Sequence, residues 1–143
     1  PIKTTLQLVE VIKASIPAAA RRHGGHPARK TFQALRIEVN HELDVLERGL
    51  RSAIAWANPG GRICVIAYHS LEDRIVKYVF SELSQGCICP PDLPVCVCGH
   101  VPIVDVKTKK PLTATSEEIT QNPRARSALM RVAVKRNTEN ERI

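Results

Sequence analysis

Four of the five cysteines, Cys87, Cys89, Cys96 and Cys98, fall within twelve residues, in the run Cys87-Ile88-Cys89-Pro90-Pro91-Asp92-Leu93-Pro94-Val95-Cys96-Val97-Cys98-Gly99-His100. Two close pairs joined by a proline-stiffened loop can bring four thiolates around one tetrahedral Zn²⁺, with His100 as a substitute ligand. Two other readings stand beside this one: a redox-active dithiol pair, and unligated surface thiols. Alternate residues of an extended strand point to opposite faces, so a zinc site built on Cys-x-Cys pairs requires turns at Ile88 and Val97. Cys64 sits alone in an apolar run and is expected to be a small buried hydrophobe.

A second group able to do chemistry is Tyr68-His69-Ser70, at the carboxyl end of the apolar run Ile63-Cys64-Val65-Ile66-Ala67-Tyr68. Ligands of open α/β sheets bind outside the carboxyl ends of the strands. In a functional reading His69 is a hydrogen-bonding or acid/base group at a cleft, with Ser70 and Asp73 beside it. In a purely structural one, Ser70 and Asp73 cap the following helix and His69 is a satisfied turn residue. The glycine pair Gly60-Gly61 precedes the strand instead of following it, so it forms a turn and not a phosphate cradle.

A third group is basic. Residues 18–37 carry Arg21, Arg22, Arg29, Lys30 and Arg36 with no acid, and Arg29 and Arg36 share a helical face from which they can meet successive phosphates. Arg124, Arg126, Arg131, Lys135 and Arg136 form a second basic set. A solvated polar face is the usual explanation of such charge runs and stands as the alternative for either set.

These groups need elements to hold them. Leu6, Val9, Ile12 and Ile16 recur every three or four residues behind Thr4 and Thr5, which predicts an amphipathic helix ended by Pro17. Paired glycines between prolines make residues 18–27 a loop. From Ala28 the positions Phe32, Leu35, Val39, Leu43, Leu46, Leu50 and Ile54 keep the helical period, as one long helix or two end to end. Asn58-Pro59-Gly60-Gly61 stops it. The run Ile63–Tyr68 is apolar on both faces, the pattern of a buried parallel strand. The next helix begins with Ser70 and Asp73 as a capping-box-like pair and presents Ile75, Val76, Val79, Phe80 and Leu83. A short strand within 103–109, a short helix from Ser116 and a last strand over 128–135, with Met130, Val132 and Val134 on one face, complete an α/β chain.

Composition narrows the partners. Twenty-one Lys+Arg against fourteen Asp+Glu leave +7 over 143 residues, which favours an anionic partner without choosing among anions. Aromatic residues are 3%, too few for a platform on which bases stack, so any contact with RNA must rest on phosphates. No apolar run nears the roughly 20 residues of a membrane helix, and no membrane partner is expected. Clustered cysteines and the lack of a signal-peptide pattern point to a reducing cytoplasm. Beginning at Pro1, the chain reads as a piece of something longer.

Four separated motifs then carry a resemblance: His26-Pro27-Ala28-Arg29-Lys30-Thr31-Phe32-Gln33-Ala34-Leu35-Arg36-Ile37, Asn58-Pro59-Gly60-Gly61-Arg62, Tyr68-His69-Ser70-Leu71-Glu72-Asp73-Arg74-Ile75-Val76-Lys77 and Asn122-Pro123-Arg124-Ala125-Arg126-Ser127. In this order they strongly resemble the bacterial 16S ribosomal RNA cytosine N4-methyltransferase family of the MraW type, over nearly the whole chain. The resemblance implies the C-terminal half of an S-adenosylmethionine-dependent enzyme. Its fold would be the C-terminal part of a Rossmann-like methyltransferase sheet, whose last strands pair antiparallel in this class, plus part of an inserted helical domain. Residues 1–40 would belong to that helical, substrate-binding domain and residues 41–143 to the methyltransferase domain, with a cysteine loop at 87–100.

The glycine-rich cofactor loop would precede Pro1, so the resemblance implies no cofactor-binding residue here and no activity of this piece alone. His26, Pro27, Arg29 and Thr31 would face the nucleotide pocket with His69, Ser70 and Asp73. Arg36, Arg124 and Arg126 would meet the backbone of 16S ribosomal RNA. The cysteine loop occurs only in some members, so methyl transfer does not require it. A sheet left incomplete also makes self-association through its edge an expectation. The reading from another class is a small basic RNA-binding or assembly module with a zinc-binding loop.

Overall fold

The structure is a computed structural model and describes residues 1–17, 25–90 and 93–137. Arg21, Arg22, His23, Pro91 and the tail 138–143 lie outside the described residues. The chain divides into two compact units, Pro1–Glu42 and Leu43–Ile143.

In the first unit, α1 spans Thr5–Ser15. Thr4 caps it: its hydroxyl accepts from the Gln7 amide at 3.2 Å, and the Gln7 side chain accepts from the Thr4 amide in return. Helix α2 spans Arg29–Asn40; α3, which spans Glu42–Trp56, lies in the second unit but for its first residue. The apolar period that runs through both is interrupted at His41, whose φ of 52° closes α2 in the left-handed conformation. Two helices end to end is therefore the outcome.

The second unit is a sheet of four strands: β1 (Arg62–Ala67), β2 (Val104–Val106), β3 (Leu112–Thr113) and β4 (Leu129–Lys135). Helix α4 (Ser70–Leu83) follows β1; α5 (Ser116–Gln121) and a 3-10 turn (Pro123–Ser127) lead into β4. All three other strands pair antiparallel with β4, in the order β1-β4-β2. At the Asn58–Gly61 turn the Gly60 amide donates to Lys135 at 2.8 Å and Gly60 takes a φ of 80°, where a side chain would be strained. The glycine pair thus ties the start of β1 to the end of β4.

Register decides which side of the sheet is buried. Ile63, Val65 and Ala67 lie across from Ala133, Arg131 and Leu129, and this face packs under Val76, Val79 and Phe80 of α4 and Leu50 and Ile54 of α3. On the other face Cys64 and Ile66 are exposed, opposite the half-buried Val132 and Met130.

Two expectations for β1 are corrected here. It pairs antiparallel, not parallel, and Cys64 is exposed. An apolar run records a capacity for burial on both faces, whereas strand direction is set by the connection, and it is the Ile63 and Val65 face that packs against the core.

Candidate functional site

The strand-to-helix turn after β1 is organised by Glu72. His69, in extended conformation, is the N-cap of α4, and its Nδ1 accepts from the Glu72 amide at 3.3 Å. The Glu72 carboxylate in turn accepts from the Tyr68 and His69 amides at 2.8 and 3.2 Å. The capping box is therefore His69 with Glu72, one residue earlier than the expected Ser70 with Asp73. The extended backbone runs through His69, which leaves Ser70 exposed as the first helical residue. Because Nδ1 accepts, the proton of a neutral imidazole rests on Nε2. That atom is buried, lies 3.3 Å from Glu72 Oε1 and has no hydrogen-bond partner.

Asp73 does not join His69. Arg131 of β4 grips it with both edges of the guanidinium, Nε to Oδ1 at 2.6 Å and Nη2 to Oδ2 at 2.9 Å, and also reaches the Lys109 carbonyl at 3.5 Å. With side chains only 7% and 16% exposed, the pair ties α4 to the sheet, and the Asp73 carboxylate is taken up by Arg131 instead of standing with His69. Beside it lies a cavity of about 240 Å³ with Lys77, Lys109, Ser81, Ser84 and Thr108 on its walls.

The arginine-bearing motif meets the same end of the sheet. Asn122 Oδ1 accepts from the Arg124 amide at 3.2 Å and Pro123 starts the 3-10 turn. Ala125 is the buried anchor, while Arg124 and Arg126 are exposed. Since Leu129 pairs with Ala67, this turn ends beside the carboxyl end of β1. A smaller cavity of about 120 Å³, between Ile66, Leu112 and Met130 with Glu118 at its wall, opens at that end. Two motifs separated by 44 residues of chain are thus brought together.

In the first unit, His26 caps the approach to α2, with Nδ1 accepting from the Ala28 amide at 3.3 Å and its carbonyl accepting from Arg29 at 3.0 Å. Pro27 and Thr31 are half-buried and Arg29 is exposed. Arg36 makes a bidentate pair with Glu42, at 2.7 and 2.9 Å.

The cysteines gather. The Cys87–Cys96, Cys96–Cys98 and Cys87–Cys98 sulfurs stand 3.4, 3.5 and 3.9 Å apart, and all four sulfurs lie within 4.8 Å of one another. The amides of His100 and Ile88 pull the Cys98 thiol down to about 6. At Cys87 the Cys89 amide favours the thiolate, but hydrogen bonds with the Cys96 and Cys89 sulfurs outweigh it and push the thiol up to about 12.

Sequence reasoning missed Glu72 and the partnership of Arg131. Glu72 carried a signal, since a glutamate three residues after a capping residue is the second half of a capping box. Arg131 carried a weaker one: it alternates with the apolar Met130 and Val132, and only its pairing shows that its own face is the buried one.

Helices layered on an antiparallel sheet, with a capped strand end and an arginine-bearing turn side by side, define a mixed helix-and-strand protein. Residues 1–136 match the MraW methylase family, and the chain belongs to that family. It is 61% identical over 135 residues to the ribosomal RNA small subunit methyltransferase H of Symbiobacterium thermophilum, covering 94% of this chain and 42% of that protein. The proteins of the same name from Halothermothrix orenii and Pelobacter propionicus are 58% and 60% identical, over 93% and 94% of this chain and 43% of each relative. The chain thus spans about two fifths of the length of these relatives. Among the described residues no helix is long and apolar enough to cross a membrane.

Proposed function

We propose that this chain is the C-terminal part of an S-adenosylmethionine-dependent methyltransferase that places a methyl group on N4 of a cytosine in 16S ribosomal RNA, in the cytoplasm. The observation that carries this reading is the family match across residues 1–136, together with 58–61% identity to relatives named for methylation of small-subunit ribosomal RNA. It favours an enzyme over a basic assembly module, since the match runs through every element and is not confined to the basic segments.

The chain's own residues do not fit the cofactor. No glycine-rich loop joins a strand to a helix among the described residues, and at the one turn from β1 to α4 the Glu72 carboxylate already occupies the Tyr68 and His69 amides. S-adenosylmethionine is held, in this reading, by the part of the relatives that this chain does not span. These 143 residues alone are then inactive.

What the chain contributes is reception of RNA. Residues 1–40 belong to an inserted helical domain, in which His26, Pro27, Arg29 and Thr31 face the nucleotide. Residues 41–143 complete the methyltransferase sheet, with His69 and Ser70 at the nucleotide side of β1 and Asp73 holding the turn through Arg131. Arg124 and Arg126 meet phosphates, and Arg36 does so while bridged to Glu42. An exocyclic amine needs its lone pair aimed more than it needs a strong base, so the chain's task is to orient the base. The unpaired edge of β1 and the apolar face of Cys64 and Ile66 are covered by the rest of the protein; in its absence two copies of this chain pair there.

The test is nucleoside mass spectrometry of small-subunit ribosomal RNA from cells that lack the gene. Loss of one N4-methylated cytidine, restored by the intact gene, supports the reading; an unchanged nucleoside profile overturns it.

A further inference from the structure

Between the last turn of α4 and β2 the chain forms a loop that has no core of its own among the described residues. Its base is closed by the Ile103 amide on the Leu83 carbonyl at 2.7 Å. Beyond that point Ile88, Val95 and Val97 are 59%, 69% and 75% exposed, so burial of apolar side chains does not hold it together. A segment of this size without a core needs a cross-link. Four thiols converge at its centre, and Cys87, Cys89, Cys96 and Cys98 are all free, with sulfur separations far beyond the roughly 2.05 Å of a disulfide.

We infer that these four cysteines form a closed structural zinc site that staples the loop. Four sulfurs at about 2.3 Å from one tetrahedral ion stand about 3.8 Å from each other. The separations of 3.4, 3.5 and 3.9 Å bracket that value, and no sulfur lies more than 4.8 Å from another. The backbone is shaped for it as well. The Cys89 amide turns back onto Cys87 Sγ at 3.4 Å, which bends the first Cys-x-Cys unit; past the second unit, the His100 amide turns back onto Cys98 Sγ at 3.5 Å, and the Cys96 and Cys98 sulfurs stand 3.5 Å apart. Gly99, at a φ of 57°, makes the turn from Cys98 to His100 accessible. Such amide donors spread the negative charge of a tetrathiolate and orient its sulfurs. His100 serves through its backbone and is not one of the clustered ligands.

All four positions come from the protein, which makes the site structural and without an open position for chemistry. Thiolates, a soft donor set in a tetrahedral array, select zinc over magnesium or calcium. Binding exchanges four thiol protons for the ion and involves no redox change.

The experiment is metal analysis of the complete protein, expressed with zinc in the medium and purified under mild reductant without chelator. The result expected is about one zinc per chain, lost in the Cys87→Ser/Cys98→Ser double variant and kept in Cys64→Ser. Cobalt loaded into the chelated wild-type protein gives the intense visible bands of a tetrahedral thiolate site, a readout that does not depend on how any variant folds. Absence of stoichiometric zinc from the wild-type protein, full zinc content in the double variant, or intact mass showing disulfides among these cysteines would each overturn the assignment.

Discussion

The buried side of the sheet and the cysteine loop hang on the same helix, α4, and are held by opposite means. Over the sheet, Val76, Val79 and Phe80 are at most 1% exposed, and the same face admits one arginine because Asp73 takes both edges of its guanidinium. In the loop the apolar side chains point outward and only sulfur converges. Where two helices and four strands supply enough apolar area, the chain closes by exclusion of water and tolerates a paired charge. Where a loop has no such area, closure depends on a few ligating atoms. The first arrangement fails gradually with lost contacts, and the second fails at once when the ion goes.

The sharpest way to break this contrast is at the buried ion pair. Arg131→Ala leaves the Asp73 carboxylate half-buried and alone, and is expected to cost about 3–5 kcal/mol in urea titrations, whereas Arg131→Met with Asp73→Leu recovers most of it. Metal content stays unchanged in both. A loss under about 1 kcal/mol for the single change would mean that the pair does not anchor α4. Chelation works in the reverse direction. Proteolytic cleavage between Gln85 and Val101 rises while amide protection in β1 and β4 is retained, because those strands owe nothing to the thiols.

A smaller effect separates Arg124 and Arg126 from the bridged Arg36. Arg124→Ala with Arg126→Ala is expected to lower the salt dependence of RNA binding by nearly two log–log units, and Arg36→Ala by less than one, since Glu42 already neutralises it. Equal slopes for all variants would place these residues on a solvated face. The smallest effect belongs to Arg51, which joins Glu82 at 2.6 Å across α3 and α4. The hydrogen bonds from Arg51 hold the Glu82 carboxyl below the usual carboxylate range. Its contribution is therefore present above the unfolded carboxylate value and fades as pH falls through the lowered folded one. With both side chains more than a third exposed, Glu82→Gln costs under about 1 kcal/mol at neutral pH and less in acid, by thermal melts.

Much of this was legible in the residues. Thr4, the glycine turn at Gly60-Gly61, the helical face ending at Leu83 and the strand ending at Lys135 follow from local chemistry, because caps, turns and periodicity act over a few residues. The convergence of four sulfurs agrees with the spacing argument, with a bend at Ile88 where an extended chain would have parted Cys87 from Cys89. What was not legible depends on partners far along the chain. Nothing near Ile63 or Cys64 announces that β4 runs antiparallel beside them, and no local signal assigns Arg131 to Asp73, fifty-eight residues away. The shift of the cap from Ser70 to His69 is subtler: both residues can accept an amide, and the choice falls to whichever still has extended backbone.

The central claim is that this chain receives RNA for a methyl transfer to a cytosine amine. Its most direct test is to give the purified complete protein small-subunit RNA and S-adenosylmethionine labelled in the methyl group, then locate the label by digestion to nucleosides. The account predicts one labelled methyl on N4 of a single cytidine, with incorporation lost when Arg124 and Arg126 are both replaced by Ala. Label on carbon 5 of the ring, on a ribose oxygen or on no nucleoside at all would contradict it.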